Sequence, residues 1–148
     1  MNGKEWRPDE STWQKMLDRE EIRTLVQLYC HVIWERDVDA YVDLFTADGG
    51  IISAGAELPQ ARGRDELRRV LASAMDTMQP RPFIHNHVIT LLDGDRAEGV
   101  CYAEIYMIED GKPVNTMVSY RDEYVRLEAG WRFRTRWMTV RDTISVSR

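Results

Sequence analysis

The chain has few cysteines, no excess of positive charge and no long apolar run. Its 148 residues include only two cysteines. Cys30 and Cys101 lack partners at metal-ligand spacing, so we predict buried free thiols rather than a disulfide framework or a metal site. The formal net charge of -5 offers no electrostatic match to nucleic acid. No segment approaches the roughly 18 consecutive apolar residues that a membrane helix needs.

The remaining composition is that of one soluble domain. Hydrophobic residues make up 43% and charged residues 30% of the chain, which is ordinary for a globular protein large enough to bury a core. Residues 1–6 contain no apolar run, and we expect no signal peptide. With free thiols, this predicts a cytoplasmic protein that interacts with neither membranes nor nucleic acid.

The first half of the chain has a helical pattern. Residues 1–17 are expected to form an N-terminal arm and residues 18–148 the domain. Asp18 begins a capping-box-like start, and apolar residues at spacings of three and four predict a helix that ends near residue 36. Asp37 can cap a short second helix. A third helix is predicted over residues 64–78, because two prolines follow it.

The second half has a strand pattern. Turn sequences rich in Gly and Asp separate four long runs, which predicts an antiparallel meander. A short strand is also expected at 50–53, followed by a loop at 54–63. The four runs are residues 83–92, 96–108, 113–127 and 131–144.

Helices followed by a meander predict an α+β fold with the helices on one face of the sheet. Strands this long must twist and curl. The predicted architecture is therefore a curved antiparallel four-stranded meander plus a short strand, packed against three N-terminal helices. Such a sheet leaves a cavity beneath the helices, suited to a small apolar ligand.

The order of these signals resembles SnoaL-like domains of the nuclear transport factor 2-like superfamily, whose fold is an α+β cone. The resemblance covers residues 18 to 144, and the family includes dehydratases, isomerases, cyclases, dehydrochlorinases, dioxygenase small subunits and non-catalytic proteins. The matching positions are Ile22, Leu25, Tyr29, Asp37-Val38-Asp39, Leu44-Phe45, Asp48, Gly63-Arg64, Asn86-His87-Val88-Ile89, Asp93-Gly94-Asp95-Arg96-Ala97, Gly130-Trp131-Arg132-Phe133 and Arg136.

The resemblance also implies a departure at the site. Scytalone dehydratase, bile acid dehydratase and lindane dehydrochlorinase share an Asp–His pair in the pocket. At the matching positions this chain has Trp34 and Pro82. The arginine that follows the Gly-Trp motif in the dehydrochlorinase is kept as Arg136.

Strand alternation places Ile84 and Asn86 on one side, which family analogy makes the pocket side. Asn86 would then offer its amide to a substrate oxygen, or satisfy the backbone. His85 and His87 fall on the opposite side unless a bulge turns one inward. We take His85 as the candidate base, because it lies nearer the missing histidine. A metal pair of the two lacks a third ligand, so no metal and no cofactor is expected.

Other candidates come from the helices. Trp34 could stack on a ligand or plug the pocket. Tyr29, on the apolar stripe, could donate its hydroxyl to a carbonyl. Asp37 could replace the absent aspartate, although a capping role is the simpler interpretation. Met75 could give an adaptable apolar lining or join the core.

Arg136 belongs to a row with Arg132 and Arg134, which alternation places on the face opposite Phe133. That row suits solvent or an interface, since arginine is enriched at interfaces, and predicts a homodimer or trimer through the exposed sheet face. The family match instead draws Arg136 towards the pocket mouth.

Three functions fit these observations. The first is a cofactor-independent lyase (a dehydratase) or isomerase acting on an aromatic, terpenoid, steroid or polyketide substrate. The second is a non-catalytic ligand-binding protein, which the loss of the Asp–His pair favours. The third is a small structural subunit of a ring-hydroxylating dioxygenase.

Overall fold

The computed structural model describes residues 7–54 and 60–147. They form three helices and six strands, one strand more than predicted, and the predicted α+β arrangement is confirmed. The elements are α1 (Glu10–Trp34), α2 (Val38–Asp43), β1 (Phe45–Ser53), β2 (Ala61–Arg62), α3 (Arg64–Thr77), β3 (Arg81–Asp93), β4 (Arg96–Glu109), β5 (Lys112–Leu127) and β6 (Gly130–Ser145).

Helix α1 begins earlier than predicted. Asp9, not Asp18, is its N-cap, and its side chain accepts a hydrogen bond from the Thr12 amide at 2.7 Å. The predicted arm is therefore wrong for residues 10–17, which are helical; residues 1–6 lie outside the described part of the chain. Asp18 is instead buried, where it accepts hydrogen bonds from Trp131 Nε1 at 3.0 Å and Arg126 Nη1 at 2.7 Å. These contacts tie the middle of α1 to the sheet.

The sheet is mixed and stays open. Its strand order is β2-β1-β6-β5-β4-β3. The predicted meander is confirmed as β3 to β6, all antiparallel. Two differences concern the edge: β1 covers Phe45–Ser53 rather than the four residues 50–53, and pairs with β6 in parallel. β2 is a two-residue strand within the segment 54–63, which was predicted as a loop without a strand. Residues 55–59 of that loop are outside the described ranges.

The helices cover one face of the curved sheet. Helix α1 packs against β3 and β6, while α3 packs against β1 and β2. The core between the layers is rich in aromatic rings, including Tyr29, Tyr41, Phe45, Tyr120 and Phe133, whose nearest centroids lie 5.3–6.5 Å apart. Tilted and edge-on pairs of this kind add stability beyond the area that they bury.

Two bulges change which side chains face the core. On β3, Ile84 pairs with Ala103 but His87 pairs with Cys101, so one extra residue is inserted between them. On β6, Phe133 pairs with Tyr124 but Thr135 pairs with Glu123, which makes Arg134 the extra residue. A bulge reverses the alternation beyond it. The inward positions after each bulge therefore become His87 and Arg136.

Candidate functional site

An apolar cavity lies between the helices and the sheet. Its volume is about 130 Å³. Helices α1, α2 and α3 and strands β1, β4, β5 and β6 all contribute to its wall. We call it the main cavity, and its described lining residues are Tyr29, Ile33, Tyr41, Ile51, Ala61, Val70, Leu71, Ala74, Met78, Pro80, Pro82, Ile105, Met107, Tyr120 and Met138.

Three tyrosines supply the side-chain oxygens of this lining. Tyr29 lies on α1, Tyr41 on α2 and Tyr120 on β5, and each is at most 5% exposed. Side-chain hydrogen bonds join Tyr29 to Tyr41 and Tyr120. Burial raises the pKa of all three hydroxyls, and the nearby Arg136 charge opposes that rise. The hydroxyls therefore stay protonated and can serve as hydrogen-bond donors.

A buried guanidinium lies directly behind these rings. Arg136 has no solvent exposure, and its Cζ is 4.2 Å from the Tyr29 centroid, 3.9 Å from the Tyr120 centroid and 4.3 Å from the Phe133 centroid. Cation–π contacts of this kind are strongest when water is excluded. The tyrosines thus stand between a fixed positive charge and the main cavity.

Asp122 neutralises that charge. It is also fully buried, and its carboxylate accepts from Arg136 Nε at 2.8 Å and Nη2 at 3.1 Å. The two residues are direct cross-strand neighbours on β5 and β6. Burial alone would lower the pKa of Arg136, but the interactions with Asp122, Tyr29, Tyr120 and Cys101 together outweigh it and raise that pKa well above its ordinary value. Arg136 therefore remains charged.

The same carboxylate begins a polar chain towards β3. Tyr124 donates its hydroxyl hydrogen to Asp122 Oδ2 at 3.0 Å, and His87 Nε2 lies 3.0 Å from the same hydroxyl oxygen. Burial is the main cause that raises the pKa of Tyr124 and lowers that of His87. Two atoms of the chain, His87 Nδ1 and Arg136 Nη1, are buried without a hydrogen-bond partner among the described residues.

Several predicted site residues lie in or beside the main cavity. Tyr29 lines it. Ile84 is half-buried and packs against the core without lining that cavity. Met75 is buried on α3 and lines a neighbouring space of about 180 Å³, which we call the side cavity.

The inward placement expected of Asn86 is wrong, and the bulge does not turn the candidate base His85 inward. Both are exposed, because the bulge after Ile84 turns His87 inward in their place. His85 Nε2 lies 3.1 Å from Glu104 Oε2, away from the main cavity. His85 therefore lacks the position of a base, and Asn86 that of a substrate contact.

Trp34 and Asp37 also lie outside the main cavity. Trp34 is 43% exposed, lines the side cavity, and donates its indole N–H to the Pro82 carbonyl at 2.8 Å. It neither plugs the main cavity nor stacks within it. Asp37 is the N-cap of α2, and its carboxylate accepts from the Ala40 amide at 2.9 Å. It does not replace the absent aspartate.

The predicted arginine row does not form. Arg134 is the exposed bulge residue, Arg132 is half-buried and Arg136 is enclosed in the core. The family-based expectation that Arg136 turns towards the pocket was nearer to the observed position than the strand alternation was. Even so, Arg136 contacts the tyrosines that line the main cavity and is not itself part of the lining.

Sequence reasoning missed the polar chain on β5. Tyr120, Asp122 and Tyr124 recur with a period of two and therefore share one face of the strand. A carboxylate on a face of aromatic residues needs a buried cation. That pattern was the available signal for Asp122.

The described residues include no group of three or more His, Cys, Asp or Glu side chains placed to bind a metal ion. In the same part of the chain, no helix combines the length and apolar character needed to span a bilayer.

A known protein family matches most of this chain. The model of the SnoaL-like domain matches residues 14–137. The chain belongs to the SnoaL-like domain family. The resemblance seen in the sequence is thereby confirmed, and the match includes all three cavity tyrosines and Arg136. No curated protein sequence matches the chain.

Solved structures share the fold. A Novosphingobium aromaticivorans protein provisionally named an aromatic ring hydroxylase is 25% identical, with a TM-score of 0.80 over 88% of this chain and 94% of its own. A second protein from that organism, provisionally named a scytalone dehydratase, is 17% identical, with a TM-score of 0.75 over 93% of both chains. The hexachlorocyclohexane dehydrochlorinase LinA-type3 from Novosphingobium barchaimii is 12% identical, with a TM-score of 0.81 over 92% of this chain and 94% of its own. At the two lower identities the likeness concerns the fold alone.

Proposed function

We propose that this SnoaL-like domain binds one small, mostly apolar molecule that carries an oxygen atom, in the main cavity. The observation that supports this most is the cluster of three protonated tyrosine hydroxyls in an otherwise apolar wall. A few polar groups in an apolar cavity are typical of ligand sites, because the apolar wall provides affinity and the polar groups fix orientation.

Cavity size supports a ligand of about one ring. The volume of about 130 Å³ is close to that of an engineered apolar cavity of roughly 150 Å³ that binds benzene. Of the substrate classes considered from the sequence, a single aromatic ring or a small terpenoid fits this volume better than a steroid or a polyketide. The expected polar group is a phenol or carbonyl oxygen within reach of Tyr29, Tyr41 or Tyr120.

A cofactor-independent lyase or isomerase is the second candidate. Tyrosine hydroxyls backed by the Arg136 charge could stabilise a developing enolate oxygen, as an oxyanion hole does. Two structural neighbours carry dehydratase and dehydrochlorinase names. Such a reaction also needs a base, and the described lining of the main cavity includes no carboxylate or imidazole. Binding without turnover is therefore the function that the geometry favours.

A pair of matched probes tests the binding proposal. p-Cresol and toluene have nearly the same size, but only p-cresol carries a hydroxyl. We expect both to bind and Tyr41→Phe to weaken p-cresol alone by about fivefold, since a hydrogen bond contributes about 1 kcal/mol. Isothermal titration measures both affinities.

The matched control is Tyr102→Phe, because Tyr102 is 44% exposed and does not line the main cavity. It should leave both affinities unchanged. An equal loss of both ligands in Tyr41→Phe would argue against the tyrosine contact, and failure of both to bind the wild-type chain would refute the proposal.

The lyase or isomerase alternative has its own readout. If the tyrosine cluster stabilises an enolate, the protein should accelerate the exchange of α-protons of cyclohexanone in D₂O, followed by NMR. Tyr29→Phe should then slow the exchange more than it weakens binding. Exchange no faster than in buffer without protein would argue against the lyase or isomerase alternative and leave ligand binding as the proposed function. The dioxygenase-subunit alternative predicts co-purification with a large iron–sulfur protein.

We also propose a homodimer through the outer face of the sheet. On that face Arg121 stacks on Trp137 at 4.3 Å, and Tyr102 is exposed. Arginine and aromatic residues are enriched at such interfaces. Light scattering should give twice the mass of a single chain, and Tyr102→Glu should reduce the measured mass to that of a single chain.

A further inference from the structure

The side cavity adjoins the main cavity at the end of α1. Ile33 and Pro80 line both spaces. Trp34, also in the side cavity, is hydrogen-bonded to the carbonyl of Pro82, which lines the main cavity. A ligand that fills the main cavity could therefore extend a substituent past Ile33 and Pro80 into the side cavity.

The side cavity differs from the main cavity in its charge. Arg36 and Arg81 line it, together with the amide of Gln79, and no acidic residue is among its described lining residues. A substituent that entered this space would meet two guanidinium groups. Arg36 Nη2 lies 3.6 Å from a carboxylate oxygen of Asp76, whose side chain is 80% exposed.

The two arginines differ in how firmly they are engaged. Arg36 Nη1 donates to the Met75 carbonyl at 3.2 Å, which ties the end of α1 to α3. Arg81 makes no ion pair with any residue in the described ranges; its Cζ lies 5.7 Å from the Trp34 ring centroid. Stacking on an aromatic ring orients a guanidinium while leaving its N–H groups available. Arg81 is thus the available partner for an anion.

The backbone around the side cavity is held in an uncommon conformation. Arg36 has φ 59° and Gln79 has φ 49°, in the left-handed region that favours glycine. Asp110, with φ 49°, lies in a hairpin turn next to Gly111, where a positive φ is normal. Arg36 and Gln79 likewise directly follow the C-caps of α1 and α3, where a residue in this region is common, so their φ values close the two helices beside the side cavity.

We propose that the natural ligand is a one-ring aryl or arylalkyl carboxylate whose ring occupies the main cavity and whose carboxylate pairs with Arg81. This rests on the proposed function, because the ring must first bind in the main cavity. The planar guanidinium fork matches a carboxylate with two parallel hydrogen bonds. The ligand class becomes a hydroxy- or oxo-substituted one-ring acid, with the ring oxygen at the tyrosines and the carboxylate at the side cavity.

A pair of compounds that differ only in charge tests this inference. 4-Hydroxyphenylacetate and its methyl ester are titrated into the wild-type chain by calorimetry. We expect the acid to bind roughly tenfold more tightly than the ester, because hydrogen bonds to charged groups are stronger than neutral ones. The affinity of the acid should also fall with added salt, while that of the ester should not.

Variants assign the effect to Arg81. Arg81→Gln should lower the affinity of the acid to that of the ester and leave the ester unchanged, and Arg81→Lys should restore part of the difference. Arg69→Gln is the control for the loss of a positive charge, because Arg69 is an exposed arginine on α3 that does not line the side cavity. It should change neither affinity.

The outcomes separate this inference from the proposed function. If the ester binds but the acid binds no better, or if Arg81→Gln leaves the acid unaffected, the carboxylate site is refuted and the binding function stands. If neither compound nor p-cresol binds, the binding function fails and the inference fails with it.

Discussion

Replacing Asp122 by Asn should destabilise the fold more than any exposed substitution. The change removes the negative charge opposite Arg136 but keeps the size of the side chain. Arg136 has no solvent exposure and no other carboxylate within ion-pair distance among the described residues. Its charge would therefore remain buried without a counterion, which is among the most costly states in a protein interior.

The magnitude follows from the contacts. Asp122 accepts hydrogen bonds from Arg136 Nε, Arg136 Nη2 and the Tyr124 hydroxyl. Removing one partner of a buried ion pair costs about 3–5 kcal/mol. A domain of this size loses roughly 2–4 °C in melting temperature per kcal/mol, so the expected decrease is about 6–20 °C.

Urea unfolding followed by tryptophan fluorescence measures the free energy of unfolding, since Trp131 is buried in the same core. Asp39→Asn is the matched control: it breaks the exposed Arg68–Asp39 pair, with 42% and 83% side-chain exposure, and should cost no more than about 1 kcal/mol. The double variant Asp122→Asn with Arg136→Met should recover part of the loss. A loss in Asp122→Asn no larger than in the control would refute the account of Arg136 as a buried, paired charge.

Two further predictions concern titration. Burial lowers the pKa of His87 below its usual 6.5, so the unfolded chain binds a proton more readily than the folded one. The free energy of unfolding should therefore decrease as the pH falls through 6.5, and His87→Gln should flatten this decrease in urea titrations at several pH values. An unchanged pH dependence in the variant would contradict the assignment to His87. Burial raises the pKa of Cys30 to about 12 and that of Cys101 to about 11. Neither thiol should therefore react with an aromatic disulfide reagent at pH 8 until urea unfolds the chain. Rapid labelling of the folded protein would contradict this prediction, because it would show that the thiols are accessible.

The sequence predicted the fold well and the inward-facing residues only in part. Helix α3 and strands β3 to β6 are bounded by prolines and Gly-rich turns, and these local signals gave ends within two residues of those observed. The parallel pairing of β1 with β6 depends on contacts between distant parts of the chain, which no local pattern encodes.

The site was harder to predict because of single-residue bulges. Strict alternation put Asn86 inside and Arg136 outside; the bulge on β3 reverses the first assignment and the bulge on β6 reverses the second. Tyr29 was found from its helical spacing, which no bulge disturbs. Asp122 was not predicted as a site residue, because its role depends on its contact with Arg136. That contact can be inferred only when the register of β5 and β6 is known.

The parallel pairing of β1 with β6 has a consequence for synthesis in the cell. Strand β1 lies beside the last strand of the chain, so its central hydrogen-bonding partner emerges from the ribosome only at the end of translation. Until β6 emerges, β1 lacks this partner strand, and α2 and α3 lack the complete sheet of the folded domain. The nascent chain therefore exposes apolar surface during that time. Chaperone contact during translation should therefore concentrate on the first half of the chain.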